Sequence, residues 1–195
     1  MKKRGGIGYF LREILIVVIG VLIAVSIGNY KENLDNEAYL KTTLRAIENE
    51  VLLSQTEIDT VLDRHLKLFE KLEEEIGEND QTLGQFVSSS GGFQAASIKN
   101  VSLRFFISNK AELLDFELIS ELLDIESKTE LLSDKIARIA DFAYENVNEK
   151  DEKTMMKFGY LLADVIDLEQ NLSKSYTSFL KKNDRYLKNE ENNFD

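Results

Sequence analysis

The strongest constraint on the fold of this chain is one uninterrupted apolar run, Ile14 to Ile27, near the start of the sequence. Residues 1–30 contain four basic and one acidic side chain, whereas residues 31–195 contain 20 basic and 34 acidic ones. Basic residues beside a membrane helix favour the cytoplasmic side. We therefore expect a cytoplasmic tail (1–12), a transmembrane helix (13–30) and a periplasmic portion after it, as in a bacterial inner-membrane protein.

Aromatic and basic residues stand at both ends of this run. Tyr9 and Tyr30 are 21 residues apart, which corresponds to ~31 Å of helix and matches a hydrocarbon core of ~30 Å. Tyrosine prefers the headgroup levels of a bilayer, and long basic side chains extend toward them. We predict that seven side chains anchor the helix at the membrane edges, namely Lys2, Lys3, Arg4, Tyr9, Phe10, Arg12 and Tyr30.

Two other structures fit parts of the same pattern. A basic start followed by an apolar stretch is also typical of a cleavable signal peptide, and Ala24-Val25-Ser26 has the small-x-small form of a cleavage site. Glu13 and the absence of a break before the next helix argue against cleavage. A buried helix of a soluble domain would need charged residues on one face, and the run from Ile14 to Ile27 has none.

Small residues recur at every fourth position inside the predicted span, at Gly20, Ala24 and Gly28. This spacing aligns them on one face of a helix, where a second helix can approach closely in lipid. Glycine and alanine are also frequent in membrane helices in general. We predict that the protein forms a homo-oligomer and that this stripe contributes to the contact.

Beyond the span, apolar residues continue at intervals of three and four from about 33 to 76, which predicts one long helix. The chain contains no proline, and this favours long uninterrupted helices. Gly77 is placed to end the helix. The first part of the helix keeps coiled-coil spacing, so we predict a stalk interface between copies through Leu40, Leu44, Ile47 and Val51.

Residues 77–108 are rich in glycine and serine and predict an irregular loop region. Within this region, Val101 to Ile107 is interpreted as a short strand or a buried turn. The run from Ser88 to Gly92 is interpreted as a solvated loop or, alternatively, a binding loop. Asn109 and Glu112 have the spacing of a capping box and predict a helix start.

Helical spacing then extends over about 109–188. It predicts helices from Leu113 to Ile125, from about Lys128 to Val147 and from about Asp151 to Leu187. Short connections between them favour antiparallel neighbours. The predicted fold is therefore all-α, with one N-terminal transmembrane helix that continues into a long helix and an antiparallel helical bundle.

The side chains that common catalytic and metal sites require are scarce. The chain has no cysteine and a single histidine, His65, which lies on the apolar stripe of the long helix and is expected in the core or at its edge. It has no Gly-x-Ser-x-Gly motif, and its acidic run from Glu73 to Asp80 lacks the spacing of a calcium loop. A net charge of −11 disfavours nucleic acid. We expect no enzymatic activity, no metal, no cofactor and no nucleic-acid partner.

The span and the residues after it resemble a known family. They read Glu-Ile-Leu-Ile-Val-Val-Ile-Gly over 13–20 and Ile-Gly-Asn-Tyr-Lys-Glu-Asn over 27–33. This is similar to uncharacterised single-pass membrane proteins of Bacteroidota, whose span reads Glu-Ile, then Val-Val-Ile-Gly, then Ile-x-Asn-Trp-x-Glu before a long helix. Tyr30 replaces the tryptophan, and Ile107-Ser108-Asn109 resembles the family's Ile-Ser-Asn, although Ala111-Glu112 departs from the Leu-Arg that often follows. The family has no assigned activity, so the resemblance implies membrane location and topology and nothing catalytic.

These observations favour a non-enzymatic, membrane-anchored envelope protein whose helical domain associates with itself or with other envelope proteins. One alternative is a ligand-sensing domain that acts through a separate membrane partner, since 12 cytoplasmic residues are too few for an output domain. A second alternative is an accessory subunit of an ion-driven complex with Glu13 as the titrating group. Its neighbour Arg12 favours local pairing instead.

Overall fold

The structure is a computed structural model that describes residues 7–77, 80–114 and 116–191. The described residues form α-helices and one 3₁₀ turn without any β-strand, which confirms the all-α fold. The elements are α1 (Ile7–Glu75), α2 (Leu83–Ser89), α3 (Val101–Lys110), the 3₁₀ turn (Ala111–Leu113), α4 (Phe116–Glu145) and α5 (Glu152–Glu191). The chain divides into two compact units, Met1–Thr42 and Thr43–Asp195, and α1 contributes to both.

The described part of the first unit is helical, and its long apolar run is exposed. Every large apolar side chain between Ile14 and Ile27 is 44 to 64% exposed. The one hydroxyl in this run is satisfied inside the helix, because Ser26 Oγ donates to the Leu22 carbonyl at 2.8 Å. Among the described residues, α1 is the one helix long and apolar enough to cross a membrane.

The second unit is a helical bundle built from the later part of α1 with α4 and α5. Asn183 Nδ2 donates to Glu48 at 3.2 Å, and Gln55 donates to Thr177 Oγ1 at 2.8 Å. Increasing numbers on α1 thus face decreasing numbers on α5, so these helices are antiparallel. The bundle buries aromatic and aliphatic side chains, the largest of which are Tyr176, Phe86, Phe106, Phe158 and Phe179.

Helices α4 and α5 are also antiparallel, as the short connection between them predicts. Lys128 Nζ donates to Ser175 Oγ at 2.7 Å, and Lys182 Nζ lies 2.9 Å from a Glu117 carboxylate oxygen. The side chain of Asp151 caps α5 by accepting from the Thr154 amide at 3.1 Å and from its hydroxyl at 2.6 Å. These hydrogen bonds hold the pKa of Asp151 below its ordinary value.

The predicted loop region contains two helices that the sequence interpretation did not identify. The segment from Val101 is helical, so its interpretation as a strand or turn is wrong. The predicted capping box at Asn109 is also wrong, because Asn109 lies near the end of α3 and donates to the Phe105 carbonyl at 2.7 Å. The observed capping box precedes α2, where Thr82 and Gln85 cap each other's backbone amides at 2.9 and 3.3 Å. Glycine and serine nearby made this short helix hard to recognise.

The predicted break near residue 126 does not exist, because α4 is continuous over Phe116–Glu145. Ile125, Thr129 and Leu132 are buried on one face across the expected break. Thr129 Oγ1 donates to the Ile125 carbonyl at 2.8 Å, so its hydroxyl is satisfied within the helix. The prediction that Gly77 ends the first long helix is confirmed, since α1 stops at Glu75 and Gly77 has φ +81°, which favours glycine.

The start of α2 is bonded to the turn between α4 and α5. The amides of Leu83 and Gly84 donate to the carbonyls of Glu149 at 2.8 Å and Val147 at 2.9 Å. These carbonyls satisfy two of the amides that a helix N-terminus leaves without an intrahelical partner. A Cβ atom on Gly84 would lie 2.9 Å from the Val147 carbonyl oxygen and closer still to its side chain.

We therefore expect Gly84→Ala to lower the free energy of unfolding by about 1–3 kcal/mol, because the added methyl group forces backbone displacement at this contact. The measurement is thermal unfolding of the full chain in detergent micelles, followed by circular dichroism. Ser88→Ala, at an exposed position of the same helix, is the control and should leave the midpoint unchanged. An unchanged midpoint for Gly84→Ala would contradict the close packing of α2 on this turn.

Candidate functional site

The predicted small-residue stripe lies on the exposed surface of α1. A Cβ atom placed on Gly20 or Gly28 would meet nothing within 4 Å, and Ala24 between them is exposed. The face is therefore open to a second helix or to lipid. Of the predicted membrane-edge anchors, Tyr9, Phe10, Arg12 and Tyr30 are exposed on the same helix. Lys2, Lys3 and Arg4 lie outside the described residues.

The four residues of the predicted stalk interface do not lie on an open surface. Leu44, Ile47 and Val51 are 0, 0 and 3% exposed inside the bundle, and Leu40 is 5% exposed. Their spacing of three and four serves packing within the chain. A second copy would reach Leu44, Ile47 and Val51 only if the bundle opened, and the stalk contact between copies stays a prediction.

A buried polar pair joins α1 to α5. His65 Nδ1 lies 3.0 Å from Glu169 Oε2, and the two residues are 1% and 0% exposed. The ring of Phe93 stacks on the imidazole with 4.7 Å between centroids and 7° between planes. The expectation of a core histidine is thus confirmed. Glu169 was missed, although its position three residues before buried Leu172 continues the apolar spacing of α5.

One nitrogen of His65 (Nε2) and one oxygen of Glu169 (Oε1) are buried without a hydrogen-bond partner among the described residues. Buried polar groups are normally satisfied, so this pair contributes less to stability than a fully bonded one. Within the described ranges, no three histidine, cysteine, aspartate or glutamate side chains cluster as metal ligands. The pair ties α1 to α5.

A second polar layer lies among α1, α4 and α5. Tyr176 is 1% exposed, and its hydroxyl lies within hydrogen-bonding reach of the Thr129 and Ser54 hydroxyls. Burial raises the pKa of Tyr176 above its ordinary value, and the neighbouring Thr129 and Ser54 side chains oppose this shift in part. The phenol is therefore held neutral in the core.

This shift predicts a loss of stability in alkali. The pKa of Tyr176 is higher in the folded state than in the unfolded state, where it is about 10. Deprotonation above that pH therefore favours the unfolded state, and the free energy of unfolding falls as the pH rises further. We expect the free energy of unfolding of the full chain, measured with urea, to fall more steeply with alkaline pH than it does in Tyr176→Phe. Near neutral pH the variant should be less stable by about 1 kcal/mol, because it loses the hydrogen bond that the phenol donates. If the free energy of unfolding falls equally with pH in the two proteins, the decline does not come from Tyr176.

A segment after α2 lies along α1 and is here called the strap, residues 93–99. Phe93 at one end stacks on His65. At the other end the Lys99 amide donates to Ser54 Oγ at 2.9 Å, and this hydroxyl donates to the Lys99 carbonyl at 3.2 Å. The strap therefore runs antiparallel to α1 and contacts one member of each polar layer, His65 and Ser54.

A groove of about 550 Å³ separates the strap from α4. The strap side presents two small side chains, Ala95 and Ala96, and the α4 side presents the exposed acids Glu130 and Asp134. The remaining lining residues are Ile98, Asn100, Arg104, Thr129, Ser133 and Ile136. No protein-family model, no curated protein and no solved structure matches this chain.

Proposed function

We propose that this chain is a membrane-anchored, non-enzymatic envelope protein whose helical bundle serves self-association or partner binding. In this proposal, residues 1–12 are cytoplasmic, 13–30 span the inner membrane and 31–195 are periplasmic. One observation carries it, namely the exposed apolar helix between a basic and a strongly acidic part of the chain. The resemblance of the span to single-pass membrane proteins of Bacteroidota supports the same placement.

Reporter fusions test the topology. A reporter enzyme that is active only in the periplasm is fused after Asp195 in one fusion protein and before Met1 in another. We expect activity from the first fusion and none from the second, because the basic end stays in the cytoplasm. The opposite pattern would overturn the topology. A mature protein that begins at Ile27 by mass spectrometry would establish a cleaved signal peptide instead.

Self-association through the span is the second part of the proposal. Lipid offers little hydrophobic drive between helices, so close packing of small residues must supply the attraction. We expect chemical cross-linking in membranes to trap an oligomer of the parent protein, and Gly20→Ile with Ala24→Ile to reduce its yield several-fold. The matched control replaces Val18 and Leu22 with isoleucine, on the opposite face. Monomer alone in the parent, or equal yields in both variants, would contradict the stripe as the interface.

A further inference from the structure

The strap is an extended chain, as the positions of its ends along α1 require. Phe93 contacts His65 and Lys99 contacts Ser54. These two positions on α1 are 11 residues apart, or ~16 Å at ~1.5 Å per residue. The six residue steps from Phe93 to Lys99 cover this length at ~2.7 Å each, whereas a β-strand rises ~3.3 Å per residue. The strap is therefore more extended than a helix, with a rise per residue below that of a β-strand.

The middle of the strap leaves its backbone unpaired. From Phe93 to Ile98, no peptide N–H or C=O makes a hydrogen bond within the described part of the chain. Lys99 is bonded on both its amide and its carbonyl, and next to the strap Ser102 donates to Glu50 through its amide at 2.9 Å and its hydroxyl at 3.0 Å. The strap is thus held at its ends and offers a free edge between them.

The groove beside this edge has room for a further chain. Its volume of about 550 Å³ falls within the ~300–1,000 Å³ of pockets that bind small ligands. The strap residues that line the groove, Ala95, Ala96 and Ile98, have apolar side chains, so the polar groups that the strap offers there belong to its backbone. An extended chain that bonds to a free backbone edge is the recurring mode known as strand addition.

The charges around the groove favour a basic occupant. The Arg104 guanidinium is already paired, at 3.2 Å with Glu126 and at 2.9 Å with Glu130. Asp134, which lies on the α4 wall of the groove, makes no ion pair among the described residues. The groove therefore keeps an uncompensated carboxylate, in a portion of the chain that is strongly acidic overall.

We propose that the groove between the strap and α4 binds an extended, basic peptide segment of another protein by strand addition. The peptide backbone pairs with residues 93–98, and a lysine or arginine of the peptide lies beside Asp134. This inference rests on the proposed role in partner binding and names the class of partner. The bound peptide forms the second strand that the strap lacks.

The test uses the full chain in non-ionic detergent micelles and a labelled seven-residue peptide of alternating lysine and valine. Fluorescence anisotropy should show saturable binding. A peptide with glutamate in place of lysine should not bind. A version N-methylated at alternate residues should bind ~10-fold more weakly, because it keeps the charges and loses backbone donors.

Matched variants of the chain assign the binding to the groove. Asp134→Lys should weaken binding of the lysine–valine peptide ~10-fold. Asp141→Lys, at an exposed position of the same helix outside the groove, should leave it unchanged. Binding without saturation, equal binding of the N-methylated peptide, or equal effects of the two variants would overturn the proposal. A peptide-free oligomer in sedimentation that Asp134→Lys dissolves would also overturn it, in favour of a second copy in the groove. None of these outcomes affects the reporter fusions, which test the topology separately.

Discussion

Replacing His65 with alanine is expected to lower the free energy of unfolding of the bundle by about 3–5 kcal/mol. The substitution leaves the Glu169 carboxylate buried without the imidazole at 3.0 Å, and it removes the ring on which Phe93 stacks. Removal of one partner from a buried pair costs more than the pair itself contributes, because the remaining group has lost both water and its partner. Urea unfolding of the full chain in detergent, followed by circular dichroism, measures the change.

The double variant His65→Leu with Glu169→Leu separates the pair from packing. Because both polar groups are removed together, we expect it to recover most of the stability lost in the single variant. Lys67→Ala is the matched control, since Lys67 pairs with Asp63 on the exposed side of the same helix. It should leave the unfolding midpoint unchanged. A double variant as unstable as His65→Ala would show that ring packing, and not the buried pair, carries the effect.

Replacing Val18 and Leu22 with aspartate is expected to release the protein from the membrane fraction. Leucine, isoleucine and valine occupy 11 positions between Ile14 and Ile27, and each favours insertion by about 0.3–0.6 kcal/mol. One aspartate at the centre of a span opposes insertion by about 2.5–3.5 kcal/mol, so two reverse the sign of the total. Fractionation after an alkaline wash, followed by immunoblotting, measures the distribution.

The control for this experiment makes the same change at exposed leucines of the bundle. Leu52→Asp with Leu53→Asp should leave the protein in the membrane fraction, since these positions are about half exposed in the second unit. If the protein with both aspartates in the span remains in the membrane, the apolar helix is not the anchor. Release of the control variant would show that the fractionation responds to charge alone.

Several elements follow from local sequence properties. Helical spacing, the absence of proline and the position of Gly77 are sufficient to predict an all-α chain and the end of its first long helix. These properties are local, because a helix bonds residues only four apart. The two short helices after Gly77 were missed because local sequence properties do not reveal contacts with distant residues. The bonds that hold α2 come from Val147 and Glu149, more than 60 residues away.

The apolar run near the start of the chain, the charge difference across it and the helical class are determined by the sequence alone, since each depends on residue type and spacing. The tertiary structure decided that Leu44, Ile47 and Val51 pack within one chain, because their spacing suits an intramolecular and an intermolecular partner equally well. It also decided that His65 meets Glu169, 104 residues later, and that the strap lies along α1 with a free edge. Such contacts join residues far apart in the chain, and only the packing of whole helices brings them together.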